Sequence, residues 1–291
     1  MKKLLLSAIV ALPLMANAQK HHEIGLTASV STFFGDLQPN YIPEDNRLML
    51  PSYGIMYKYF VNPHLGFRFA ANYINLGGAD SLSLNKTYER RNLSFRNKMG
   101  EIYGGIELNL LPVSALKGKF TPYVFAGVGA FYSNPYAYTV DGKKEYLRDL
   151  STEGQGLPHY PDRSVYPVIN AAFPIGAGFK FFIGKTVMLS GEVNLRYTST
   201  DYIDDVSKTY VNLDTLMAYK GHRAVEMSYR GNEKHNWDGN YPEYKFQRGD
   251  FRGNDWYWTV GITATVYFDA FGNPRRYLQS RCPRIFGKAS F

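Results

Sequence analysis

Three carboxylates fall within five positions of the stretch Thr200-Asp201-Tyr202-Ile203-Asp204-Asp205-Val206-Ser207. Hard oxygen donors at this density suit calcium. The stretch lacks the glycine and terminal glutamate of an EF-hand loop, so a metal held by Asp201, Asp204 and Asp205 is the lesser reading. The preferred one is structural, with the Asp side chains capping turns and pairing with loop Arg or Lys. No nucleophile elbow, zinc-protease helix, phosphate loop or paired-cysteine metal motif occurs anywhere. The histidines scatter: His21 and His22 near the N-terminus, His64 in a short turn, and His159, His222 and His235 over loops. A Ser-His-acid group assembled across loops, as in a lipid-modifying enzyme, stays open because triads are defined by geometry. The expectation is a non-catalytic chain without a cofactor. The single cysteine, Cys282, excludes an internal disulfide framework.

A second set of chemically capable residues is spaced differently. Lys58, Arg68, Glu101, Glu107, Lys180, Glu192 and Arg196 each sit on the polar side of a segment in which apolar and polar residues alternate. Val187, Leu189, Val193, Leu195 and Tyr197, for example, alternate with Ser190, Glu192, Asn194 and Arg196. Period-two alternation marks strands with one apolar and one polar face. Eight such segments stand near residues 23–35, 53–61, 65–76, 95–110, 122–132, 168–183, 187–197 and 255–269. The segment 122–132 is apolar on both faces and leaves its orientation undecided.

The connections sort into two classes. Asn62-Pro63-His64 and Gly184-Lys185 are tight turns, 111–121 is moderate, and about 36–52, 77–94, 133–167 and 199–254 are long. Alternating short and long connections predict an eight-stranded antiparallel transmembrane β-barrel with short periplasmic turns and long extracellular loops. Its polar faces would then point inward. Side chains just fill a barrel of eight strands, so the seven charges are expected to interlock as a polar plug rather than line a channel. Tyr59, Tyr197, Trp256, Trp258, Tyr267 and Phe268 are placed for interfacial aromatic girdles. Trp237, Tyr241, Tyr244 and Phe246 in the last long loop suit a binding surface or a lid over the mouth equally well.

Export is expected as well. Lys2 and Lys3, the apolar Leu4–Leu14 and Ala16-Asn17-Ala18 have the three parts of a cleavable signal. This divides the chain into a signal at 1–18, a barrel at 19–270 and a tail at 271–291, in the bacterial outer membrane. Net charge is +8, falling to +6 once Lys2 and Lys3 leave. Arg275, Arg276, Arg281, Arg284 and Lys288 supply five of these charges in a tail with no acid. Charge so localised argues against nucleic acid, which wants a broad basic face. With Lys117, Lys119 and Lys185 on the same short-turn side, it suggests a periplasmic docking face.

The opening strand from Glu23 that ends in Phe34-Gly35-Asp36-Leu37, together with Tyr197 through Ser207, resembles the PorG-like family of Bacteroidota outer-membrane barrels. That resemblance implies membership of the type IX secretion machinery and a periplasm-facing association with the ring proteins PorK and PorN. It supplies no binding residues position by position. The rival reading is a surface barrel of the OmpX or OmpW kind, using extracellular loops for adhesion or for small apolar ligands.

Overall fold

The computed structural model describes residues 21–38, 45–83, 86–112, 119–184, 186–235 and 237–268. The predicted signal, the predicted tail with Arg275, Arg276, Arg281, Arg284 and Lys288, and Lys117 and Lys185 lie outside the described residues.

Ten strands and four short helices follow in order: β1 (His21–Phe34), β2 (Leu50–Phe60), β3 (Leu65–Ala79), α1 (Lys86–Arg91), β4 (Ser94–Asn109), β5 (Phe120–Tyr132), β6 (Tyr136–Tyr138), β7 (Lys144–Tyr146), α2 (Leu147–Leu150), β8 (Ile169–Ile183), β9 (Val187–Thr198), α3 (Leu213–Lys220), α4 (His222–Ser228) and β10 (Trp256–Phe268). Eight of the strands form a closed antiparallel barrel in the order β1-β2-β3-β4-β5-β8-β9-β10. β10 returns to pair with β1 from His22↔Phe268 to Phe34↔Trp256. Closure leaves no unpaired edge, the condition for a sheet to cross a bilayer. β6 and β7 are a small hairpin within the long β5–β8 connection, attached to the barrel where Tyr136 meets Arg96 of β4.

Alternation decides which residues face lipid. Ile24, Leu26, Ile55, Ile102, Ile175, Val193 and Ile262 project outward and are largely exposed, whereas their strand neighbours Glu23, Lys58, Glu101, Asn194 and Thr263 are buried inside. β5 resolves in the same way, with Tyr123, Phe125 and Phe131 inward and Val124, Val128 and Tyr132 outward. From Gly100 of β4 to Leu110 just past its end, the outward positions span ten residue steps, ~25 Å of height at ~3.3 Å per residue and ~40° tilt. That matches the apolar band of an outer-membrane barrel. Among the described residues no helix is long and apolar enough to cross a membrane, and the strands do the crossing. Tyr197 and Trp256 meet edge-on at 4.8 Å on the outer face, as girdle residues should. Tyr267 departs from the girdle expectation. It occupies the inward phase of β10, 4.5 Å from the His21 ring and 5.6 Å from Phe182, and helps floor the short-turn end.

The long connections are not open loops. Their helices, bends and the β6–β7 hairpin pack into a cap continuous with the upper barrel interior. Phe33, Ile74, Met99, Phe131 and Tyr257 from the strands join Leu37, Leu93, Leu147, Ile203, Val206 and Met227 from the loops in one buried cluster. A second cluster, Leu157, Tyr160, Val211, Leu216, Ala224 and Val225, holds α3 and α4 onto the β5–β8 connection.

Candidate functional site: a charged plug under a folded cap

The barrel interior is built in layers from the short-turn end upward. At the bottom His21 stacks on Phe60 at 4.6 Å, beside buried Phe182 and Met188. Above this floor the strand register sets Glu23 beside Lys58 and Lys58 beside the like-charged Arg68, so the two cations need a shared carboxylate. Glu107 is the hub of the layer: Lys58 and Lys180 reach it at 2.8 Å each and Arg68 at 3.3 Å. Glu23 lies 3.6 Å from Lys180, 4.0 Å from Lys58 and 3.2 Å from the His21 ring nitrogen. Arg68 also donates to both oxygens of Glu192, at 3.0 and 3.1 Å, while Tyr123 donates to Glu192 at 2.9 Å. Its guanidinium lies 3.6 Å from the centre of the Phe125 ring. Interior glycines on β8 make room for these rings, since a β-carbon at Gly178 would stand 2.8 Å from Tyr123.

A second ionic layer lies higher. Arg196 donates to Glu101 at 2.8 Å, and Tyr257 and Asn72 donate to the same carboxylate at 2.6 and 2.7 Å. The seven charges singled out by alternation are thus all directed inward and all paired. An eighth, Glu23, was not included among them, although it shares the polar phase of β1 with Thr27 and Ser31. With it the core holds four cations and four carboxylates, balanced charge among buried side chains. A polar cavity of about 20 Å³ remains between Thr27, Asn72, Asn194 and Arg196, room for roughly one water.

Above the ions the interior turns apolar and is closed by the Thr200–Ser207 segment. Ile203 and Val206 point down into the barrel mouth with no more than 1% of their surface exposed. Their neighbours tie the segment to the top of β4, to the start of β10 and to two other long connections. Asn97 at the top of β4 donates to the Ile203 carbonyl at 2.8 Å, and the Leu37 amide donates to Asp204 at 3.1 Å. Tyr166 donates to Asp205 at 2.7 Å, and Thr152 donates to its other oxygen. Asp255 accepts from the Ile203 amide at 2.8 Å. Asp205 is in the left-handed region at φ 68°, which lets its carbonyl accept from Arg248 at 2.6 Å.

Arg248 and Arg91 are two of the buried cations of the cap, with Arg163 and Arg230. Arg248 donates to Glu153 at 3.0 Å, and Glu153 accepts from the Ser207 and Lys208 amides. Arg91 grips Asp80 through two bonds of 2.7 and 2.8 Å and donates to the Arg248 carbonyl. Sequence inspection missed both arginines and Glu153, because nothing local distinguishes them from solvated loop charges.

Burial pushes Asp201 up to about 8 and Asp36 up to about 6. Burial, followed by the neighbouring carboxylates, holds Asp204 and Asp255 well above the ordinary carboxylate range. The three acids whose lesser reading is a calcium site point to different partners: Asp204 to backbone amides, Asp205 to hydroxyls and Arg248, Asp201 toward Ser207. Among the described residues no group of three or more His, Cys, Asp or Glu side chains converges to hold a metal. The aromatic residues of the last loop stay on the surface, with Tyr244 51% and Phe246 59% exposed, and Trp237 packs edge-on against Tyr241 at 5.3 Å. Lys119 is exposed at the short-turn rim, and its carbonyl accepts from the Phe182 amide.

Apolar residues outside, paired ions inside and the long connections gathered at one end make this an outer-membrane barrel. No curated protein matches the chain in sequence. Among solved structures it is similar to the N-terminal β-barrel domain of Pseudomonas aeruginosa OprF, at 10% identity over 86% of this chain and 100% of that one, TM-score 0.36. Neisserial surface protein A aligns at 8% identity over 85% of this chain and 97% of that one, TM-score 0.41. Ail of Yersinia pestis aligns at 10% identity over 86% and 97%, TM-score 0.36. The family model that matches, over residues 2–220, is described as a domain of unknown function, and the chain belongs to that family, DUF6089.

Proposed function

We propose that this chain is a non-conducting, non-catalytic anchor in the outer membrane that positions the periplasmic ring of the type IX secretion machinery through its short-turn face. The observation that carries the reading is the filled interior. Among the described residues an aromatic floor, two ionic layers and an apolar stopper fill the interior, so the work of the molecule falls to its surfaces. The likeness of Tyr197–Ser207 to the PorG-like pattern supports the choice of machinery. The basic residues Lys117, Lys119, Lys185, Arg275, Arg276, Arg281, Arg284 and Lys288 are the docking candidates. A barrel lacking residues 271–291 should recover less PorK and PorN in a pull-down, and unchanged recovery would reject the tail as the contact. A deletion strain that exports type IX cargo normally would reject the assignment altogether.

One observation favours a second reading, a surface-binding barrel: Tyr244, Phe246 and Phe251 are more than half exposed on the cap. Shortening the whole 205–252 connection is an unsuitable test because Arg248 and Val206 hold the cap together. Alanine at Tyr244 and Phe246 leaves those contacts intact. Loss of cell-surface binding in that variant, with secretion preserved, would favour the second reading over the first.

A further inference from the structure

Among the described residues, the outward positions of the barrel strands carry lysine or arginine at one place, on the long-loop side. Arg96 and Lys98 occupy successive outward positions of β4, directly above Gly100, where the apolar band ends. Across the ladder Arg96 faces Tyr136 of the β6–β7 hairpin. Lys144 of that hairpin lies 3.9 Å from the centre of the Tyr136 ring and donates to Tyr146 at 2.9 Å. Burial raises the Tyr136 phenol above its ordinary range, and Lys98, Lys144 and Arg96 all oppose that rise, which places the three charges about a single ring. Among the described residues no carboxylate lies within ion-pair distance of Arg96, Lys98 or Lys144; the nearby Glu145 pairs with Lys143 at 3.0 Å.

Beneath this cluster the wall is hollowed. Gly100 is paired with Tyr73 on one side and Tyr132 on the other, and a β-carbon there would meet nothing within 4 Å. One rung below, Ala71 and Ala130 flank Ile102, and these residues with Phe69, Gly104 and Val128 line a shallow apolar groove. Cations at headgroup height, a slot between two interfacial aromatics and an apolar groove below form one continuous strip.

We propose that this strip binds the phosphorylated glycolipid of the outer leaflet, with its phosphates on Arg96, Lys98 and Lys144 and an acyl chain laid through the Gly100 slot. The height of the cluster fits this occupant. One outward step above the band is where the phosphates of an outer-leaflet lipid lie, and an anionic headgroup supplies the countercharge that the described residues do not. Guanidinium and ammonium groups both bind phosphate, the former with a two-pronged fit.

The test uses the full mature chain folded in detergent, with bisphosphorylated lipid A as probe and native mass spectrometry as readout. The triple variant Arg96→Ala, Lys98→Ala, Lys144→Ala should lose affinity by roughly fivefold per cation, on the order of 100-fold together. Dephosphorylated lipid A should bind the wild-type chain and the triple variant equally weakly. Gly100→Phe, which fills the slot without touching the interior, should weaken lipid A binding while the barrel keeps its heat-modifiable mobility. If the triple variant disturbs folding, Lys98→Ala alone, at a fully outward position, should still show the single-cation loss. Equal binding by the wild-type chain and the folded cation variants would overturn the proposal. So would displacement of the lipid by millimolar inorganic phosphate, which would make free phosphate the ligand, or undiminished binding of the dephosphorylated lipid.

Discussion

Three cations on a single carboxylate make Glu107 the residue on which the barrel interior depends most. Replacing it with glutamine keeps the shape but leaves Lys58, Lys180 and Arg68 short of countercharge. Breaking a buried pair in this way costs about 3–5 kcal/mol. Glu107→Gln should therefore lower the urea midpoint of the detergent-folded barrel more than Lys58→Met does, because Lys58→Met leaves Glu107 two of its three cations. The carboxylates of the cap carry a pH dependence of opposite sense to an ordinary ion pair. Asp201, Asp36, Asp204 and Asp255 hold protons more tightly in the folded cap than in an unfolded chain. The folded state therefore binds more protons between pH ~4 and ~8, and cap stability falls as pH rises through that window. Hydrogen exchange of the Ile203 and Val206 amides, corrected for intrinsic rate, should report a less stable cap at pH 8 than at pH 5. Asp204→Asn should flatten the difference.

The strands were legible because a barrel wall separates two environments and writes a period of two into each segment. All eight predicted segments coincide with barrel strands within a few residues, and the polar phase is the interior one. Turns were legible where they carry local chemistry. Asn62 ends β2 with its side-chain oxygen accepting from the His64 and Leu65 amides at 2.9 and 2.8 Å. Asn62→Ala removes both bonds, and the barrel should lose about 1 kcal/mol, seen as a lower unfolding midpoint with unchanged lipid-facing surface. The cap was not legible. Short helices such as α3 and α4 exist because Leu216 and Ala224 find Leu157 and Tyr160, from a connection some sixty residues earlier in the chain. No local periodicity records that contact. The acidic cluster is conspicuous for its carboxylates, whereas nothing local marks Ile203 within it and Val206 just after it, which do the sealing.

At the scale of the whole molecule, the layered filling predicts an electrically silent protein. Reconstituted in a planar bilayer, the wild-type barrel should show no steady conductance. Arg68→Ala should not open it either, because the His21–Phe60 floor and the Ile203–Val206 stopper remain. A stable ohmic channel in the wild type would contradict the closed interior and, with it, the proposed surface-borne role.

The convergence of long connections on residues 200–207 also constrains how this protein can change over generations. Exposed loops on a cell surface ordinarily drift freely, since each can be rewritten without consulting its neighbours. Here a replacement at Leu37, Thr152 or Arg248 is felt in the other connections through the shared segment. Diversification should then be confined to the outward tips near Val140 and across 237–246. Homologues compared in number should show conserved loop bases beneath variable crests, an unusual distribution for a surface that meets immune systems, phages and competitors.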